Sequence, residues 1–196
     1  MDKILNSILP WIRSNSRVLD LACGDGSLLG NLQKIHQVNG YGLEIDERSI
    51  IECIKKGINV IEQDLDTGLS NFSDNCFDSI IMAQAIQEMR HPHLLLDEML
   101  RVGRECIITF PNFGHWSARC QLFFLGKMPV TRQLSYQWYE TPNIHFFTYR
   151  DFKMLCDAQK IRILHCDCIA ETYPDIYLKK MFPNLFTQTA VFHLSL

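Results

Sequence analysis

The residues best placed to do chemistry lie in one short run, Val18-Leu19-Asp20-Leu21-Ala22-Cys23-Gly24-Asp25-Gly26-Ser27-Leu28-Leu29. An apolar stretch leads into a glycine turn, and leucines that open a helix lead out of it. Gly24 and Gly26 let the backbone turn sharply and approach a ligand with no Cβ in the way. Loops of this kind cradle several cofactors, so the glycines alone do not choose among them. The charge does. Asp20 and Asp25 would meet a pyrophosphate with two carboxylates, which opposes binding at low local dielectric. A sulfonium and an ammonium suit the same loop. The ligand expected here is S-adenosylmethionine, held around Asp20, Ala22, Cys23, Gly24 and Gly26, with NAD and FAD as runners-up.

Three further positions fit that ligand. About twenty residues on, where nucleotide-binding folds place a ribose carboxylate, stands Glu44 in Gly-Leu-Glu-Ile-Asp. Asp64, in Gln63-Asp64-Leu65, is placed to accept from an adenine amino group, with Ile45 and Leu65 stacking on the ring. Gln84, in Met82-Ala83-Gln84-Ala85-Ile86-Gln87-Glu88, falls near the methionine end. The plain reading of Asp25 and Asp46 is a solvated loop and a helix cap.

Candidates for catalysis are sparser. His115 and His145 are possible general bases, and Tyr139 lies in the same aromatic stretch. Arg119, four residues past His115, would share its helix face and could clamp a carboxylate with it. A lone histidine is nonetheless more often structural. Methyl transfer from a sulfonium is an in-line displacement governed mainly by proximity, so a thiol or carboxylate acceptor needs no dedicated base. The run Ala83 to Glu88 lacks the Asn/Asp-Pro-Pro-aromatic motif of amide and nucleobase N-methyltransferases. The eight cysteines are scattered, with no CxxC pair. They read as reduced thiols acting as small buried hydrophobes, and no metal site is expected.

The elements that must position these groups follow from periodicity. Ile4, Ile8, Trp11 and Ile12 predict a lead-in helix. Strands are predicted over 17–22, 40–45, 59–65, 77–83, 105–110, 161–169 and 187–196. Helices are predicted after the glycine loop, through Ile50 to Ile54, from Pro92 to Gly103, and from a Thr148-x-x-Asp151 capping box. Strands alternating with helices demand a doubly wound, mostly parallel seven-stranded α/β sheet, with ligands beyond the carboxyl ends of its strands. Residues 1–196 read as one domain. Residues 111–149 form a long aromatic-rich insertion on the ligand side, and such a segment is usually functional. It serves as a lid, a partner face or a cover for the sheet. With 47% hydrophobic residues and a net charge of −3, the chain has no electrostatic footprint for nucleic acid. It has no membrane-spanning run and no secretory signal, so a cytoplasmic location is expected.

Four strand ends agreeing in order and spacing resemble the signature of class I methyltransferases, the Rossmann-like fold that binds S-adenosylmethionine. That family usually has glycine where Ala22 stands. Phe110-Pro111-Asn112-Phe113-Gly114-His115-Trp116, Gly126-Lys127-Met128-Pro129-Val130-Thr131 and Tyr136-Gln137-Trp138-Tyr139-Glu140-Thr141-Pro142-Asn143-Ile144-His145 are similar to the MetW family of methionine biosynthesis, which has aspartate at the place of Glu140. The similarity runs from the glycine loop to about the capping-box helix. It implies a bacterial methionine-pathway protein that binds S-adenosylmethionine and acts with homoserine O-acyltransferase as subunit or regulator. Two alternatives stay open: a free-standing small-molecule methyltransferase, and a non-catalytic scaffold whose cofactor site Ala22 has closed.

Overall fold

A computed structural model describes residues 2–196. The lead-in helix α1 (Asp2–Ile8) sends Leu5 and Ile8 into the core, and a 3-10 turn, Leu9–Trp11, follows at Pro10. The chain then alternates through β1 (Arg17–Leu21), α2 (Ser27–His36), β2 (Asn39–Glu44), α3 (Glu47–Lys55), β3 (Asn59–Glu62), β4 (Phe77–Ala83), α4 (Pro92–Val102) and β5 (Gly103–Pro111). The remaining elements are α5 (Trp116–Cys120), α6 (Tyr149–Ala158), β6 (Arg162–Ile169), α7 (Asp175–Leu178), α8 (Pro183–Phe186) and β7 (Thr189–Ser195).

The strands form one seven-stranded sheet in the order β3-β2-β1-β4-β5-β7-β6. β1 to β5 are mutually parallel, and β7 runs antiparallel between β5 and β6. This is the doubly wound α/β architecture the alternation demands. Winding reverses between β1 and β4, so their connections diverge and leave a crevice beyond their carboxyl ends. Both faces are covered, which is why the middles of the inner strands are largely apolar on both faces. In β1, Leu19 and Leu21 pack with Leu96 and Phe152 of α4 and α6, and Val18 packs with Leu28 and Leu32 of α2.

Several boundaries move for local reasons. The third strand, predicted to reach Leu65, stops at Glu62, because Asp64 caps a 3-10 turn, Leu65–Thr67. Gly103 both caps α4 and opens β5 with no loop between them. A Cβ there would sit 2.6 Å from Ile80, so only glycine permits the turn. The capping box forms in both directions between Thr148 and Asp151. The predicted insertion contains α5 and a π-helical turn, Gln121–Leu125. A second insertion, residues 170–188 with α7 and α8, separates β6 from β7. No periodic signal marks it. No helix among the described residues is long and apolar enough to cross a membrane.

Candidate cofactor site

The crevice between β1 and β4 begins at the glycine loop. Ala22, Gly24 and Gly26 all have left-handed backbone, with φ of 52°, 56° and 71°. Gly26 is required twice: it starts α2 in that conformation, and a Cβ would meet the Cys53 Sγ at 2.9 Å. Gly24 differs, because a Cβ there would meet nothing within 4 Å. The loop beside it is open, as a ligand cradle must be. Ala22 bears a Cβ in a conformation that costs a non-glycine residue about 1 kcal/mol. Cys23 points away from the crevice, against Gly42 and 3.9 Å from Cys53. Burial holds its thiol far above its usual range, so it packs as an inert hydrophobe.

Glu44 organises the loop. At the end of β2, its carboxylate accepts from Gly24 N–H at 2.8 Å through Oε2. Oε1 accepts from Ile45 and Asp46 N–H at 2.8 and 3.0 Å. These bonds fix the carboxylate before any ligand arrives, and Oε2, which accepts only one of them, retains acceptor capacity. Asp20 is 1% exposed, and its Oδ1 has no hydrogen-bond partner. Burial, aided by the Glu44 charge, pushes its pKa up to about 8. Glu88, half-buried, is also raised by burial and by Glu44, which places it in the same electrostatic field.

The loop therefore does not present the two free ionised carboxylates that its sequence suggests. Near neutral pH Asp20 holds a proton, and Asp25 is paired with the Lys56 ammonium at 2.6 Å and accepts hydrogen bonds from Ser27 N–H and O–H. Those bonds, with Lys56 first, lower Asp25 to about 2. Asp25 belongs to a surface ion pair, and Asp46 caps α3 through Ser49 N–H at 2.9 Å.

At the third strand end, Asp64 is exposed and accepts from Asp66 N–H through Oδ1, leaving Oδ2 available. Ile45 is 61% exposed beside it, whereas Leu65 is only 7% exposed and joins the core under α4. A pair of side chains stacking on one ring thus reduces to Ile45. Gln84 has left-handed backbone, and its amide groups bond Thr109 on β5.

The catalytic candidates are dispersed. His115 is the N-cap of α5, outside the helix, with a buried ring. Its Nδ1 accepts from Ser117 N–H, so Nε2 carries the proton it donates to Asp175 Oδ2 at 2.9 Å. Arg119 Nε donates instead to Gly114 O at 2.6 Å. The carboxylate clamp of His115 and Arg119 does not form, because one ring turns inward and the guanidinium closes its own loop. Tyr139 stands in solvent against Trp138. His145 lines an apolar cavity of about 210 Å³ with Ile86, Phe147 and Phe152, and its Nε2 is buried without a partner.

Asp175 is the residue that sequence reasoning missed. It is fully buried and accepts from Trp116 Nε1 at 2.8 Å, from His115, and from Thr172 and Gln188 at 3.0 Å. It ties the two insertions into one body. Asn112 adds to the clasp, donating to Thr187 O and accepting from Gly114 and Tyr149 N–H. No spacing could have announced this, since Asp175 lies 60 residues from His115.

The family model for the methionine biosynthesis protein MetW matches residues 3–194. The chain belongs to the MetW family. A bifunctional methionine biosynthesis protein MetXA/MetW from Rhodopirellula baltica is 37% identical over 158 residues, covering 76% of this chain and 25% of that protein. The chain thus matches about a quarter of the length of that relative. Among solved structures, a SAM-dependent methyltransferase from Archaeoglobus fulgidus aligns with a TM-score of 0.69 at 15% identity, covering 98% of this chain and 93% of its own. The [4+2]-cyclase SpnF aligns with a TM-score of 0.69 at 13% identity, covering 99% and 80%. At such identities the likeness is one of fold. A methyltransferase and a [4+2]-cyclase are two different chemistries on one fold.

Proposed function

We propose that this MetW-family protein binds S-adenosylmethionine and serves methionine biosynthesis as a subunit or regulator of a homoserine O-acyltransferase. The observation that carries the partnership is the bifunctional methionine biosynthesis relative in which MetXA and MetW share one chain. Two features support the fit of the ligand: the open cradle at Gly24 and the unpartnered buried acceptor of Asp20. Glu44 would take the ribose hydroxyls, Asp64 the adenine amino group, Ile45 the ring, and Asp20 the ammonium. The bound cofactor supplies a methyl group on a sulfonium. As the product of a step beyond methionine, it also reports how full the pathway is. If its two ligation states engage the acyltransferase differently, linkage makes it a feedback signal.

The test is direct. S-adenosylmethionine is titrated calorimetrically into the wild type and Glu44→Ala. Purified acyltransferase is then assayed with the protein, with and without the ligand. The expected result is binding roughly a hundredfold weaker in Glu44→Ala than in the wild type, and an acyltransferase rate that depends on the protein and falls with the ligand. An unchanged rate under every condition sinks the regulatory reading.

A free-standing methyltransferase is the second reading. It is favoured by a pocket of about 420 Å³ lined by Gln84, Lys3, Arg132, Glu171 and Thr189 beyond the ends of β4 and β6. Its mixed charges suit a zwitterionic metabolite. Transfer of labelled methyl to a metabolite extract, absent in Glu44→Ala, would establish it.

A further inference from the structure

The first insertion holds a surface that neither the cofactor cleft nor the core explains. The π turn Gln121–Leu125 presents Leu122, Phe123, Phe124 and Leu125 in succession, none of them buried. Phe123 is 82% exposed and Phe124 74%, their rings edge to face at 4.9 Å. Runs of exposed apolar residues are costly in a soluble protein unless something covers them. A π-helical turn is itself rare and concentrates at functional sites.

This turn is not loose chain. Gln121 bonds the Val130 backbone in both directions, at 3.1 and 3.2 Å, closing the loop behind it. Gly126 ends it with left-handed backbone. At its root, Trp116 and His115 are locked to Asp175. Arg132 further along pairs with Glu171 of the second insertion. A lid that must open needs a hinge, and these ties work against one. They hold the two phenyl rings as a preformed projection, the kind of rigid aromatic anchor that dominates interface energetics.

We propose that Phe123 and Phe124 form the anchor by which this protein docks on a homoserine O-acyltransferase. The inference rests on the partnership proposed above and adds where it is made. The occupant follows from the relative that carries both units in one chain: two units held together at high local concentration have a standing opportunity for contact. The chemistry of the face is consistent with one sort of partner surface. From Gln121 to Val130, Lys127 is the sole charged residue, so the partner presents an apolar recess and not a charged one. The second insertion also exposes Tyr173, Tyr177 and Met181, which makes it the natural control.

The experiment uses the full-length protein and the purified acyltransferase encoded in the same genome. Affinity is measured by sedimentation velocity and interferometry for the wild type, for Phe123→Ser/Phe124→Ser, and for Tyr177→Ser. Melting temperature and S-adenosylmethionine binding are recorded for each. The expected result is a wild-type complex that changes little with added salt. The double variant should bind at least thirtyfold more weakly, with melting and cofactor binding unchanged, and Tyr177→Ser should bind as the wild type does. A wild-type complex that the double variant retains overturns the anchor and leaves the partnership standing. No wild-type complex overturns the partnership itself, and the anchor with it. Self-association of the wild type that the double variant loses, without acyltransferase binding, assigns the face to a second copy and overturns the proposal.

Discussion

The glycine-loop crevice and the two insertions solve opposite problems at the same end of the sheet. In the crevice, backbone donors meet a fixed carboxylate: Glu44 gathers Gly24, Ile45 and Asp46 before any ligand arrives. The insertions instead place their polar bonds underneath, at Asp175 and Asn112, and turn large apolar rings outward. The first arrangement suits a small polar ligand, whose binding costs least when the site is preformed. The second suits a large partner, whose binding gains most from apolar area removed from water. The two regions thus differ in where each keeps its unsatisfied capacity.

That contrast can be broken most severely at Asp175. Asp175→Ala leaves four donors, among them Trp116 Nε1 and His115 Nε2, without their buried acceptor. A loss of about 3 kcal/mol of stability is expected. Hydrogen exchange should show the damage in residues 112–120 and 170–188 and spare the glycine loop. Equal loosening of both regions would mean that they are one cooperative unit.

The converse change is Glu44→Ala. It should weaken S-adenosylmethionine binding roughly a hundredfold, the equivalent of about 2.7 kcal/mol, and leave acyltransferase docking intact when no ligand is present. Calorimetry checks the first and interferometry the second.

The pH response sharpens the comparison. Asp20 is held protonated up to about pH 8 by burial and the Glu44 charge. A cationic ligand favours the ionised form, so binding below pH 8 must release a proton. Affinity should rise with pH, by at most about tenfold per unit, and level off above 8. Titrations in buffers of different ionisation enthalpy would measure the released proton, and none should be released by Asp20→Asn. Stability has the opposite sign. The unfolded chain ionises Asp20 near its ordinary value of 3.8 and the folded chain near 8, so between those values the unfolded state holds fewer protons. This group's contribution is complete below about pH 4 and is lost as pH rises through 8. Thermal melts of the wild type and Asp20→Asn across that window check the sign.

The smallest effect is expected at Ala22. Glycine relieves the left-handed strain of about 1 kcal/mol and offsets part of it by loosening the unfolded chain. Ala22→Gly should raise the melting temperature by about 2 °C and cofactor affinity a few-fold. A loss of affinity would show that the methyl group contacts the ligand favourably.

Most of the fold was legible because its signals are local. Alternating apolar strands, Pro92 opening α4, the Thr148–Asp151 box and the glycine turn each act within a few residues. The carboxylates at the strand ends were legible for the same reason, since strand ends in such sheets converge on one crevice. Less legible were their charge states. Asp20 and Asp25 look alike in sequence, yet one is buried beside Glu44 and the other lies against Lys56, 31 residues away.

By itself, then, the sequence determined the sheet, its winding and the placing of Asp20, Glu44 and Asp64 at or near the carboxyl ends of its strands, because short-range patterning and the rules of chain connection suffice for these. Tertiary structure alone decided that His115 and Trp116 serve Asp175, that Arg119 closes its own loop, that Leu65 faces the core, and that Phe123 and Phe124 face solvent. Each of these depends on which distant segment arrives to bury a side chain or fails to. Burial is a property of the packed molecule and has no period in the chain.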